Sequence, residues 1–128
     1  MATRTTAQRR FSFLRIAIAL QTLTIFLQAV SAGLLLTTPY AEAYGEALHS
    51  AGARVMWGSS LLYVLAAVLA WKPGGGPLRP VWYAAGFLVL ASAQVALGIA
   101  HVPAVHLPLG VLMFGLSVLA LARQRRTG

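Results

Sequence analysis

Gln94-Val-Ala-Leu-Gly98-Ile-Ala-His101-Val-Pro103-Ala-Val-His106-Leu-Pro108-Leu-Gly110 is the stretch that decides how this chain folds. A long apolar helix ends near His101. Pro103 restarts the chain, because proline is tolerated in a first helical turn whose N–H groups have no partner to lose. A second apolar helix then carries His106 one turn inside its start. Two imidazoles and a glutamine thus lie in a sequence otherwise suited to hydrocarbon. Such groups are costly at membrane depth and are functional candidates by default. One other place in the chain answers them: Glu46-Ala47-Leu48-His49, at the mouth of another apolar helix.

Composition places that stretch in a membrane. The chain is 59% hydrophobic and 9% charged, where a soluble domain carries about 25% charged residues. The mean hydropathy is +0.76. A chain this apolar forms its core against lipid. The net charge of +8 does not point to nucleic acid. Arg4, Arg9, Arg10 and Arg15 precede or open the first apolar run. Lys72 and Arg79 bracket the middle loop, and Arg123, Arg125 and Arg126 follow the fourth run. That is the pattern of cytoplasmic flanks facing anionic lipid, with no basic face interleaved with stacking aromatics. The absence of cysteine excludes disulfides, thiolate metal sites and cysteine-based catalysis.

Working outward, four helices are expected, over about 11–37, 46–71, 81–101 and 103–122, in one membrane domain. Residues 1–10 read as a polar, basic tail. The first run has a rival reading as a signal peptide, since Arg9-Arg10 precede it and Ala29-Val30-Ser31 resembles a small-residue cleavage site. It is longer than the about 7–15 residues of a signal core, so a span is expected. Gln21, Thr24, Gln28 and Ala32 recur on one face, either as interhelical hydrogen-bonding groups or as the lining of a polar cavity. Thr38-Pro39-Tyr40 stops the first helix, since the residue before proline avoids helical geometry. The triple-glycine loop 72–80 lacks the Gly-Lys-Ser/Thr of a phosphate-binding loop. Small or flexible residues lie under both histidines: Gly52, Met56 and Ser60 below His49, and Gly110, Met113 and Ser117 below His106.

Counting basic residues puts both termini and the 72–80 loop in the cytoplasm. The fold class is therefore an all-α, integral membrane, antiparallel four-helix bundle, with its histidines toward the extracytoplasmic side of the plasma membrane. In an up-down-up-down bundle the second and fourth helices are diagonal and parallel. His49 and His106 then share one depth and face each other across the axis, with His101 at the same outer level. Two opposed neutral imidazoles are what a haem iron accepts as axial ligands. A closed zinc site would need all three histidines plus Glu46, a crowded arrangement.

These residues also resemble a known family. Glu46-x-x-His49 opening a helix resembles the Glu-x-x-His-Arg motif of haem A synthases. Gln94-x-x-Leu97-Gly98, followed after a short turn by His106-Leu107, is similar to that family's Gln-x-x-Leu-Gly and later His-Leu. Gln28 to Gly33 is a weaker echo. The family has two four-helix halves in tandem, one a catalytic haem site and the other holding haem b, and this chain corresponds to one half. The resemblance implies that His49 and His106 are the axial pair of a haem b. It implies that Glu46 matches the carboxylate implicated in oxidising a haem methyl group. His101 has no counterpart in the family; the haem reading itself sets Glu46, Gln94 and His101 around the pair, with Gln28 a further candidate. Ser50 stands where the family has arginine, and Arg54, one turn on, is the candidate substitute. The family's extracellular cysteine pair is absent. A homodimer or larger membrane complex would restore the eight-helix arrangement.

The expectation is a small membrane protein that binds haem for electron transfer or haem handling, partnered by the lipid bilayer and not by nucleic acid. Two readings stand beside it. One is a cofactor-free interaction or structural subunit, its histidines bonded to loop carbonyls. The other is a small transporter or an enzyme, for which Glu46 alone qualifies as acid or base.

Overall fold

The structure is a computed structural model and describes residues 2–37, 42–73 and 75–126. It is all-helical among those residues: α1 (Ala2–Thr37), α2 (Glu42–Trp71), α3 (Arg79–Ile99) and α4 (Pro103–Arg126). Each helix contains a segment long and apolar enough to cross a membrane, namely Ser12–Thr37, Ala43–Trp71, Arg79–Ile99 and Pro103–Gln124. The shortest, the 21 residues of α3, is about 30 Å long at about 1.5 Å per residue, the thickness of a hydrocarbon core. The chain is a multi-pass membrane protein by these four segments.

The helices extend further than their apolar stretches. α1 runs back to Ala2, ahead of the apolar segment that begins at Ser12, and α4 continues to Arg126. Apolar periodicity marks where a helix is covered by lipid or protein, not where its backbone bonding begins. For the same reason α2 opens at Glu42 and not at Glu46. The expected Thr38-Pro39-Tyr40 stop lies outside the described residues. α3 starts at Arg79 with a proline in its first turn, where the missing N–H is no loss. Between α2 and α3 the chain reverses through Gly75, at φ +66°, and the Gly76 N–H closes back on the Ala70 carbonyl at 3.0 Å.

Helices adjacent in sequence pack together, and α4 closes the ring against α1. The diagonal pairs α1/α3 and α2/α4 have no close backbone approach among the described residues. Three layers follow along the bundle. One end is apolar: Leu14, Ala17 and Ile18 of α1, Ala66, Ala67 and Ala70 of α2, and Ala84 of α3 are buried. The alanines let backbones come close, as small residues do in membrane interfaces. Tyr63 and Phe87 stack at this level with ring centres 6.0 Å apart. At the rim, Arg79 and Arg123 both donate to the Tyr83 hydroxyl oxygen, at 2.9 and 3.3 Å.

The middle layer is stitched by hydroxyls. Thr22 donates to the Ile18 carbonyl at 2.8 Å, so the 2.6 Å contact between Thr22 and Ser117 is a hydrogen bond donated by Ser117. It ties α1 to α4. Thr24 meets Ser59 at 2.9 Å, and the Trp57 indole donates to Ser92 at 3.1 Å, tying α2 to α1 and α3. Phe26 and Phe114 lie beside the α1–α4 bond, their ring centres 5.8 Å apart. The third layer, at the other end, holds the histidines.

Candidate functional site

His49 is the eighth residue of α2, and His106 the fourth of α4. Their rings meet across the diagonal with centres 6.1 Å apart and planes at 73°. Because α2 and α4 do not touch through their backbones, the two imidazoles themselves span the space between them.

Each ring is held by the helix that precedes its own. On the α4 side, His106 Nδ1 lies 3.0 Å from the Gln94 main-chain oxygen. A carbonyl accepts only, so Nδ1 carries the proton and donates. Gly98, one turn on along α3, lies beneath the same ring. A β-carbon there would stand 3.4 Å from His106 Cε1, in ordinary contact.

On the α2 side, His49 Nδ1 lies 2.8 Å from Ser31 Oγ. Ser31 spends its one hydrogen on the Gln28 carbonyl at 3.0 Å. Its oxygen therefore accepts from His49, and Nδ1 is again the protonated nitrogen. Both imidazoles are thus set in the same tautomer, with Nε2 carrying the lone pair. Tying one ring nitrogen to fix the other is how proteins present histidine to a metal.

The two glutamines brace this arrangement. The Gln28 amide donates to the His49 carbonyl at 3.3 Å and accepts from the Ala53 N–H at 3.1 Å. It occupies the space a β-carbon at Gly52 would need. The Gln94 amide lies over Gly110, where a β-carbon would stand 2.9 Å from its nitrogen. Gln94 is 8% exposed, and its side-chain oxygen has no hydrogen-bond partner among the described residues. Gln21, deeper on α1, is wholly buried, with both amide atoms in the same condition.

The other candidates lie apart. His101 occupies the α3–α4 turn at φ +53°. Its N–H bonds the Gly98 carbonyl at 3.2 Å, and the Val102 N–H bonds the Leu97 carbonyl at 3.1 Å. That pair of bonds is the Schellman closure of a helix, with histidine in the left-handed position that glycine usually takes. The His101 ring is exposed, with Nδ1 2.9 Å from the Ile99 carbonyl. Glu46 and Arg54 are exposed on α2. Among the described residues, no three histidine or acidic side chains come together to hold a metal ion, so the crowded zinc site is not assembled. Among the described residues, the donors brought together here are the two imidazoles of His49 and His106.

Sequence reasoning singled out both histidines and both glutamines, but it missed Ser31. The available signal was its position three residues after Gln28, on the same helix face. No signal could have named the Gln94 carbonyl, because every residue has one. No family model matches this chain, and no curated protein or solved structure matches it. The functional reading rests on the residues and their geometry.

Proposed function

We propose that this protein is a haem-binding bundle of the plasma membrane, with His49 and His106 as the two axial ligands of a haem b. Its helices run antiparallel, both termini and the 72–78 loop lie in the cytoplasm, and the histidine pair lies toward the extracytoplasmic face. The basic residues at the loop and helix ends support that orientation through the positive-inside bias.

The observation that carries the reading is the matched pair of tautomers. Two imidazoles from diagonal helices each commit Nδ1 to a neighbouring helix and hold Nε2 as a free lone pair. His49 and His106 would hold the haem between their rings, which face each other from diagonal helices. The donor set also fits: two neutral nitrogens with no third protein ligand suit an iron whose other positions are filled by a macrocycle. Bound haem supplies one-electron redox chemistry, which suits electron transfer or haem handling. The chain's own work is to bind and orient. Ser31 and the Gln94 carbonyl fix the rings.

A second reading has its own observation. Rings at 73° are close to the edge-to-face geometry that aromatic pairs adopt without any ligand. On that reading the histidines close a cofactor-free bundle that serves as an interaction subunit.

An absorption spectrum separates the two. The protein is purified in detergent from haem-replete cells and measured oxidised and dithionite-reduced, beside the His49→Ala/His106→Ala double variant. A Soret band with sharp reduced bands, lost in the double variant, is the expected result. A wild type that stays colourless through haem titration refutes the haem reading and leaves the edge-to-face pair as a packing contact.

A further inference from the structure

α2 and α4 carry the same series at the same spacing: His49, Met56 and Ser60 in one, His106, Met113 and Ser117 in the other. Both methionines and both serines are buried. The helices that precede them are alike but one residue out of register: the Gln28 amide fills the space over Gly52, three residues after His49, and the Gln94 amide lies over Gly110, four after His106. Each histidine bonds back to the first helix of its own hairpin. The hairpins α1–α2 and α3–α4 are thus two versions of one unit, and their histidines meet where the units face each other.

The equivalence also breaks at the acceptor behind the ring. His106 donates to a main-chain carbonyl locked in α3. His49 donates to the Ser31 hydroxyl, a rotor on a single side-chain bond that is itself engaged with Gln28. A carbonyl within a helix cannot turn away, whereas a serine has three staggered positions to choose from. Groups that hold a metal-ligating histidine fix its orientation and raise its basicity, and their loss typically weakens binding about 10- to 100-fold.

Resting on the haem reading above, we propose that the two ligands are unequal by construction. His106 is the anchored ligand, and His49 is the exchangeable one, positioned by Ser31. The site therefore admits a small uncharged lone-pair donor such as carbon monoxide or nitric oxide in place of His49.

The test uses haem-loaded wild type beside His49→Ala, His106→Ala, Ser31→Ala and Ser31→Thr. Haem retention is read by gel filtration, and carbon monoxide binding to the reduced protein by the Soret shift. Both histidine variants are expected to lose haem, His106→Ala more than His49→Ala, and the haem that His49→Ala retains should bind carbon monoxide. Ser31→Ala should keep haem and half-saturate with carbon monoxide at about tenfold lower concentration than wild type. Ser31→Thr, which retains the hydroxyl, should match wild type.

Equal haem loss from the two histidine variants, greater loss from His49→Ala, or an unchanged titration in Ser31→Ala overturns the proposal. The serine variants decide it even where His106→Ala does not fold. Failure of the haem reading shows separately, as a wild type that takes up no haem, and exchange at iron falls with it. The inequality of the two rings is then read by 15N NMR of labelled apoprotein. Ser31→Ala should turn His49 from a fixed Nδ1–H tautomer into an averaging one, with His106 unchanged. Two rings that average alike in the wild type dispose of the inequality as well.

Discussion

Replacing Gly52 by alanine tests how the histidine end is held, because the structure fixes both sides of the comparison. A β-carbon at Gly52 falls within the space of the Gln28 amide, closer than real contacts allow. Gln28 must withdraw, and its bonds to the His49 carbonyl and the Ala53 N–H go with it. At about 0.5–1.5 kcal/mol net for each bond, the loss is about 1–3 kcal/mol. Alanine returns about 1 kcal/mol through its better helix propensity, so Gly52→Ala should be neutral to about 2 kcal/mol destabilising. Gly58 is the control on the same helix, since nothing lies within 4 Å of a β-carbon there. Gly58→Ala should therefore be about 1 kcal/mol more stable than wild type. Reversible unfolding in mixed detergent micelles, followed by circular dichroism, gives both values. The Gln28→Ala/Gly52→Ala double variant should be no worse than Gln28→Ala alone, because the methyl group then fits. Two alanine variants of equal stability would refute the account of Gln28 as a brace across α1 and α2.

Three further outcomes are expected. His101→Gly should raise stability by about 1 kcal/mol in thermal unfolding, by relieving a left-handed backbone that only glycine adopts freely; a loss of stability would remove the capping role. A double-mutant cycle over Thr22→Val and Ser117→Ala should give a coupling of about 0.6 and at most about 1.7 kcal/mol; zero coupling would leave α1 and α4 joined by packing alone. The chain contains no cysteine, so single cysteines report sidedness directly. Val102→Cys should react with an impermeant maleimide on intact cells and Lys72→Cys only after lysis, and the reverse pattern would invert the proposed orientation.

The fold was legible because lipid simplifies the code. Four apolar runs broken by Pro39, the Lys72–Pro80 loop and Pro103 leave little choice but four helices. The helix starts were harder. Glu42 to Gly45 carry no apolar periodicity, so the sequence placed the start of α2 one turn late, and the same silence hid the helical course of residues 2–10. At the site, chemistry outran contact. His49 and His106 stood out as ionisable groups in hydrocarbon-like sequence. Counting from Glu46 made each the fourth residue of its helix, whereas His49 is the eighth of α2; the rings meet although that count was one turn short. His101 stood out on the same grounds, yet its place follows from turn geometry, which side-chain chemistry does not announce. Ser31 looked like part of a small-residue run, because its role depends on which ring lies opposite it. The partner of His106 is a main-chain oxygen, invisible to any reading of residue types.

That each histidine leans on the first helix of its own hairpin has a consequence for biogenesis. Membrane chains emerge from synthesis N-terminal segment first, at about 5–20 residues per second. Once α1 and α2 have entered the bilayer, Ser31 and Gln28 can already fix His49, and nothing further downstream is required. The α3–α4 hairpin sets His106 in the same self-sufficient way. The ring between them closes only when Ser117 on α4 reaches Thr22 on α1. Two finished hairpins would therefore meet late, with His49 and His106 each already set before their rings come together.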